Sequence, residues 1–140
     1  LTDLAELAAA LAPSAERHQE TMAQGAAFAR VTAEVWGTDP RPLPYPVAVG
    51  AAAARLGLPL DATVAAFLHG FAANIVSAAV RFLPLGQTEG QRVLAALLPV
   101  IGAVAEEAQA ADPDDLGGAA FGADLSAMEH ETMAVRIFRT

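Results

Sequence analysis

The sequence predicts an all-α fold, a single-domain helical bundle of about six helices, and three observations carry that prediction. Ala, the best helix former, fills 35 of the 140 positions. Aromatic residues make up only 6% of the chain, and strand-favouring side chains are scarce. Apolar residues recur at three- and four-residue spacing between segments punctuated by Pro and Gly. With 54% hydrophobic residues and a mean hydropathy of +0.39, a chain of this length has material for one core.

Leu4, Leu7, Ala8 and Leu11 share one side of a first helix, which Pro13 and Ser14 interrupt. Ser14 is the expected N-cap of a second helix running to Trp36. On it Phe28, Val31 and Val35 form the face expected to be buried, and Arg30 and Glu34 an exposed pair four residues apart. Pro40, Pro42, Pro44 and Pro46 make the stretch from Gly37 to Pro46 an extended surface connection. A third helix ends near Leu56, before Gly57 and Pro59.

Asp61 is the expected cap of the most apolar helix, which carries no charge from Ala62 through Val80 and stops at Arg81 before Pro84. Thr88-Glu89-Gly90-Gln91 has capping-box spacing and opens a helix through Val93, Leu94, Leu97, Ile101 and Val104, with a kink expected at Pro99. After the acidic, Gly-rich stretch from Asp112 to Gly118, Asp124 or Ser126 caps a last helix aligning Leu125, Met128, Thr132 and Val135.

Eight Arg, no Lys and sixteen acidic residues give a net charge of −8, so the chain as a whole lacks a basic footprint for nucleic acid or an anionic membrane surface. The absence of Cys excludes disulfides, thiolate metal sites and Cys nucleophiles. Leu1 opens the chain where Met would be expected, and Asp3 and Glu6 make its start unlike a secretory leader. The uncharged run is long enough to cross a bilayer. His69, Gly70, Asn74 and Ser77 interrupt it, Ala outnumbers Leu, and no second uncharged run of equal length is expected, which favours the buried central helix of a soluble bundle.

No self-contained active site is legible. Glu16, His18 and Glu20 are spaced by two and splay on a helix; His130-Glu131-Thr132-Met133-Ala134 starts like a zinc-protease helix but has Ala134 where a second His is required. His69, alone in an apolar helix, reads as a hydrogen-bonded core residue. Ser14, Ser77 and Ser126 lie in no nucleophile elbow, and the glycines form neither a P-loop nor a dinucleotide fingerprint. Gly70, Asn74, Ser77 and Arg81 form a small and polar stripe on one helix side, suited to close helix packing or to a partner surface. In Pro84-Leu85-Gly86-Gln87-Thr88 local turn and cap needs account for Pro84, Gly86 and Thr88, but not for Gln87 or Gln91.

Taken together, Asn74 to Arg81, the block Pro84-Leu85-Gly86-Gln87-Thr88-x-Gly90-Gln91 and the closing His130-Glu131-Thr132 with Arg136-Ile137-Phe138-Arg139-Thr140 resemble the urease accessory protein UreF family. Members usually carry a longer N-terminal part with a Gly- and Ser-containing segment. Their tail usually reads His-Glu-Thr-Gln-Tyr and Arg-Leu-Phe-Arg-Ser, from which Met133, Ala134, Ile137 and Thr140 depart.

The resemblance implies a non-catalytic, cytoplasmic, all-helical chaperone that binds no cofactor itself and bridges a UreD/UreH-type protein and the GTPase UreG. It would thereby assist nickel loading into the urease apoprotein and modulate GTP hydrolysis, and homodimers are expected. Partner contacts are expected at Arg81, Gln87, Gln91, His130, Glu131, Arg136, Phe138 and Arg139. Arg136, Phe138 and Arg139 are residue types suited to anchoring the urease-facing partner, and Arg81 is a cation able to approach a nucleotide phosphate. Two alternatives remain at this level: a helical bundle binding a small molecule, or an enzyme, through an interior His69, Asn74 and Arg81; and a membrane-embedded helical protein.

Overall fold

The computed structural model describes residues 1–136, and every regular element among them is helical: α1 (Thr2–Ala10), α2 (Ala15–Trp36), α3 (Tyr45–Leu56), α4 (Leu60–Phe82), α5 (Gln87–Ala110) and α6 (Phe121–His130), with a single 3-10 turn at Pro113–Asp115. The helices gather in two compact units. One holds Leu1–Gly57 with the described residues from Leu116 onward; the other is Leu58–Asp115.

In the first unit, local chemistry sets the helix ends. The hydroxyl of Ser14, on extended backbone, accepts from the Arg17 N–H at 3.2 Å and starts α2. Gly37 and Gly57 close α2 and α3 at φ +67°, a left-handed conformation that glycine adopts without a Cβ clash. Pro44 precedes α3 and Pro46 lies in its first turn, where a missing N–H costs nothing. The Pro-rich connection is therefore shorter than the sequence suggested, and it is no mere surface strap: Thr38, Leu43 and Pro44 are buried.

The core of this unit is Leu43, Val47 and Ala48, with Ala5, Ala8, Phe28 and Ala51 packed against it. Alpha helix α2 meets the backbone of the connection directly. A Cβ built on Gly25 would stand 1.8 Å from the Leu43 carbonyl oxygen. The Tyr45 N–H donates to Thr21 Oγ1 at 3.2 Å, and the rings of Phe28 and Tyr45 meet edge to face at 5.8 Å.

That close approach corrects the expected burial. The buried residues of α2 are Gly25, Ala29 and Thr32, while Val31 and Val35 are exposed and Phe28 is half-buried. On α1, Ala5 and Ala8 face the core and Leu4, Leu7 and Leu11 remain exposed. Backbone contact selects small side chains over large apolar ones. Thr32 is satisfied internally: its hydroxyl donates to the Phe28 carbonyl at 3.0 Å and accepts from the Thr38 hydroxyl at 2.8 Å.

The second unit is a helical hairpin of α4 and α5, joined through Leu83–Gly86. The helices pack tightly where Gly90 faces Val80 and Val76; a Cβ at Gly90 would lie 2.6 Å from Val80 Cγ2. Val76, Gly90 and Ala105 are the buried residues of this pair.

Four expectations fail, three of them in this unit. Helix α4 is not a buried central helix, since Val76 is its one buried residue. Helices α4 and α5 start earlier than Asp61 and Thr88 suggest, with Pro59 and Gly86 at the cap positions and no side-chain cap at either. The apolar run also has an equal: Leu60–Phe82 and Gln87–Ala110 are both long and apolar enough to cross a membrane. Helix α5 continues through Pro99 without ending. Helix α6 likewise begins earlier, at Phe121 behind Ala120; Asp124 and Ser126 lie inside it, and the Ser126 hydroxyl bonds back to the Gly122 carbonyl at 2.8 Å.

Candidate partner-binding surfaces

The sequence-predicted residues fall into two groups, one in each unit. In the first unit, α6 ends at His130, and the chain then turns back on the start of α2. Glu131 Oε1 accepts from the Ala15 N–H at 2.7 Å and from the Glu16 N–H at 3.4 Å. These first-turn N–H groups have no partner within their own helix, so a carboxylate from more than a hundred residues away completes the capping that Ser14 begins.

The side chain of Glu16 returns the contact. Its Oε2 lies 2.6 Å from His130 Nδ1, and its Oε1 accepts from Arg136 Nη1 at 2.8 Å. A carboxylate only accepts, so Nδ1 carries the hydrogen. Arg136 Nη1 also reaches the Glu131 carbonyl at 3.3 Å. The hydrogen bond with His130, aided by Arg136, holds the Glu16 carboxyl below its ordinary value, although desolvation opposes it. The three side chains are about a quarter exposed, which shields their charge-assisted bonds more than an open surface pair would be.

His130, Glu131 and Arg136 are thus brought together, whereas Phe138 and Arg139 lie outside the described residues. Glu16 was missed as a site residue. Its spacing to His18 and Glu20 pointed to a solvated face, and that is right for exposed His18; Glu20 pairs with Arg17. Nothing local in the sequence marks Glu16 as the partner of residues beyond position 130. Around this group Leu125, Met128, Met133 and Val135 are exposed, Val135 to 78%.

In the second unit, Arg81, Gln87 and Gln91 do converge. Together with Ser77 and Gly90 they line a notch of about 180 Å³ between the end of α4 and the start of α5, with polar and apolar walls. All three side chains are exposed, as Gly70, Asn74 and Ser77 are, so the small and polar stripe of α4 is an open side rather than a helix-packing seam. His69 is exposed too. His69, Asn74 and Arg81 therefore do not form the interior polar cluster that a buried small-molecule site would require.

A second concavity of the hairpin is larger, about 480 Å³, and almost wholly apolar, its walls including Leu68, Phe71, Ile75, Val93, Leu97 and Val100. Phe71, Ile75 and Val100 are each more than half exposed. Among the described residues there is no group of three His, Asp or Glu side chains placed to hold a metal ion.

The UreF family profile matches residues 1–98 of this chain. Over 137 residues the chain is 61% identical to a urease accessory protein UreF of Cereibacter sphaeroides, covering 98% of this chain and 65% of that protein. The corresponding protein of Roseobacter denitrificans is 56% identical over 134 residues, 96% of this chain and 60% of its own length. That of Jannaschia sp. is 53% identical over 140 residues, 100% of this chain and 64% of its own length. The chain thus spans somewhat under two thirds of the length of these relatives.

Proposed function

This chain belongs to the UreF family of urease accessory proteins, and from that premise we propose that it is a non-catalytic chaperone of urease maturation. In this reading it joins a UreD/UreH-type protein to a UreG-type GTPase, so that nickel, the cargo of the assembly, reaches the urease apoprotein in the cytoplasm. It modulates GTP hydrolysis by its partner and pairs with a second copy of itself. It holds no cofactor of its own.

The observation that carries the reading is the uncovered apolar groove of α4 and α5. A contiguous apolar surface of this kind is characteristic of protein contact, because leaving it in water forgoes about 25 cal/mol per Å² of the burial energy available. The notch of Arg81, Gln87 and Gln91 adds a polar rim beside it, and the turned-back segment from His130 to Arg136 supplies a separate contact with exposed apolar neighbours.

Co-purification tests the proposal. The intact chain is expected to form a stable complex with the UreD/UreH-type protein and with the UreG-type GTPase, and a chain truncated after Glu131 to lose the first. Ile75→Glu, which puts a charge in the groove, is expected to weaken complex formation while leaving far-UV circular dichroism unchanged. Arg81→Ala is expected to change GTP turnover by the partner. Undiminished binding by both the truncated and the Ile75→Glu chains overturns the assignment of these surfaces.

The two long apolar helices also support a second reading, a hairpin that enters a membrane, since only 6% and 11% of their most apolar windows are buried. Recovery of the chain, monodisperse and helical, from a detergent-free soluble fraction rules that reading out.

A further inference from the structure

We propose that Glu16 is a positioning residue for the C-terminal contact, holding the end of α6 and the segment through Arg136 against the start of α2, and that this clasp stays closed when a partner binds. The inference rests on the reading of the closing segment as a partner contact. It assigns Arg136 an inward role, and leaves docking to exposed neighbours such as Met133 and Val135.

The bonds form a closed ring. The N–H groups of Ala15 and Glu16 donate to the Glu131 carboxylate, Arg136 donates to the Glu131 carbonyl and to Glu16 Oε1, and Glu16 Oε2 accepts from His130. Opening the ring leaves first-turn N–H groups of α2 without their carboxylate and separates three partly buried charged or polar side chains. A partner that drew Arg136 away would have to supply equal bonds. A partner that docks on the closed arrangement meets a preorganised surface and avoids that cost. The exposures agree with this division: the side chain of Arg136 is 25% exposed, whereas Met133 is 55% and Val135 78% exposed.

The test compares the intact chain with Glu16→Gln, Glu16→Ala, Arg136→Ala and the double Glu16→Ala/Arg136→Ala variant, each verified as helical. Two readouts are taken: amide hydrogen exchange between residues 130 and 136 in the chain alone, and affinity for a purified UreD/UreH-type protein. Glu16→Ala is expected to speed exchange in that segment and to weaken binding about tenfold, the effect of losing one or two charge-assisted bonds. Glu16→Gln, which keeps an acceptor of the same shape, recovers part of both. The double variant binds more weakly than Arg136→Ala by less than Glu16→Ala alone costs, because the two residues share one bond while that from His130 to Glu16 is independent of Arg136.

Unchanged binding by Glu16→Ala, alongside loss of binding in Arg136→Ala, makes Arg136 a direct anchor and overturns the proposal. Tighter binding by Glu16→Ala overturns it too, by making the clasp a restraint that partners must release. If truncation after Glu131 leaves binding intact, the partner reading of the segment fails; the exchange measurement on the chain alone reports separately whether the clasp exists.

Discussion

The two compact units solve the same problem in opposite ways. In Leu1–Gly57 with the described residues after Leu116, helices meet at small side chains and backbone, and polar bonds between distant residues tie the elements together: Tyr45 to Thr21, Thr38 to Thr32, and the residues around His130 to Glu16. In Leu58–Asp115 two apolar helices touch along one seam, and large side chains such as Phe71, Ile75 and Val100 stay in water. The first unit too leaves large apolar side chains exposed, Leu4, Val31, Val35 and Phe121 among them, spread over several helices. The second gathers its own into one apolar groove between α4 and α5, the feature on which the proposed partner-binding role rests.

Two glycines separate the packing of the units most sharply. Gly25→Ala drives its Cβ into the carbonyl of Leu43, which has no flexible end to move, and is expected to destabilise by about 3 kcal/mol. Gly90→Ala meets Val80 Cγ2 and Val76 Cγ1, methyl groups of side chains stiff at χ1, which give way by a small shift of one helix along the other where a fixed backbone carbonyl does not. Part of that strain is offset by the helix propensity gained, so the net loss is expected to be about 1 kcal/mol or less. Thermal unfolding of the two variants checks the ranking. An equal effect would show that the helix seam in the second unit is as unyielding as the backbone contact in the first.

A smaller effect is expected at Ser14. Ser14→Ala removes the acceptor for the Arg17 N–H and is expected to lower stability by about 1 kcal/mol. Urea unfolding measures it. A loss far below that value would mean that the carboxylate of Glu131 can cap α2 alone.

The smallest effect is a dependence on pH, confined to the first unit. The folded Glu16 carboxyl titrates below its ordinary value, chiefly through the hydrogen bond with His130. Its contribution is therefore fully present above the unfolded carboxylate value of about 4.3 and is lost as pH falls through the lower folded value. The difference in melting temperature between the intact chain and Glu16→Gln is expected to shrink on acidification through that range. A difference that does not narrow would mean that Glu16 is held by shape and not by charge.

Helix ends were the most legible part of the fold. Ser14, Trp36, Gly37, Leu56 and Gly57 sit where their local chemistry puts them, because capping and left-handed closure involve only a few neighbouring residues. Starts governed by Pro59 and Gly86 were misread in favour of Asp61 and Thr88, since a preceding Pro or Gly lets the chain enter the helix before the polar cap is reached. Helix faces were less legible still. With Ala on nearly every side, periodicity does not choose a buried stripe, and the choice fell to Gly25, Ala29 and Thr32 where another backbone comes close.

Of the candidate residues, Arg81, Gln87 and Gln91 were recognisable as a group because one short turn brings the end of α4 to the start of α5. His130, Glu131 and Arg136 were visible as a block, but their partner Glu16 was not, since it is 114 residues or more from the side chains it binds.

By itself, then, the sequence determined an all-helical protein with its family membership written in two short blocks, because composition, capping and motif are local properties. Only the tertiary structure decided which apolar side chains stay uncovered, which glycines admit another backbone, and which carboxylate holds the closing segment. Those outcomes depend on residues far apart in the chain meeting at a few ångströms, a distance on which local spacing is silent.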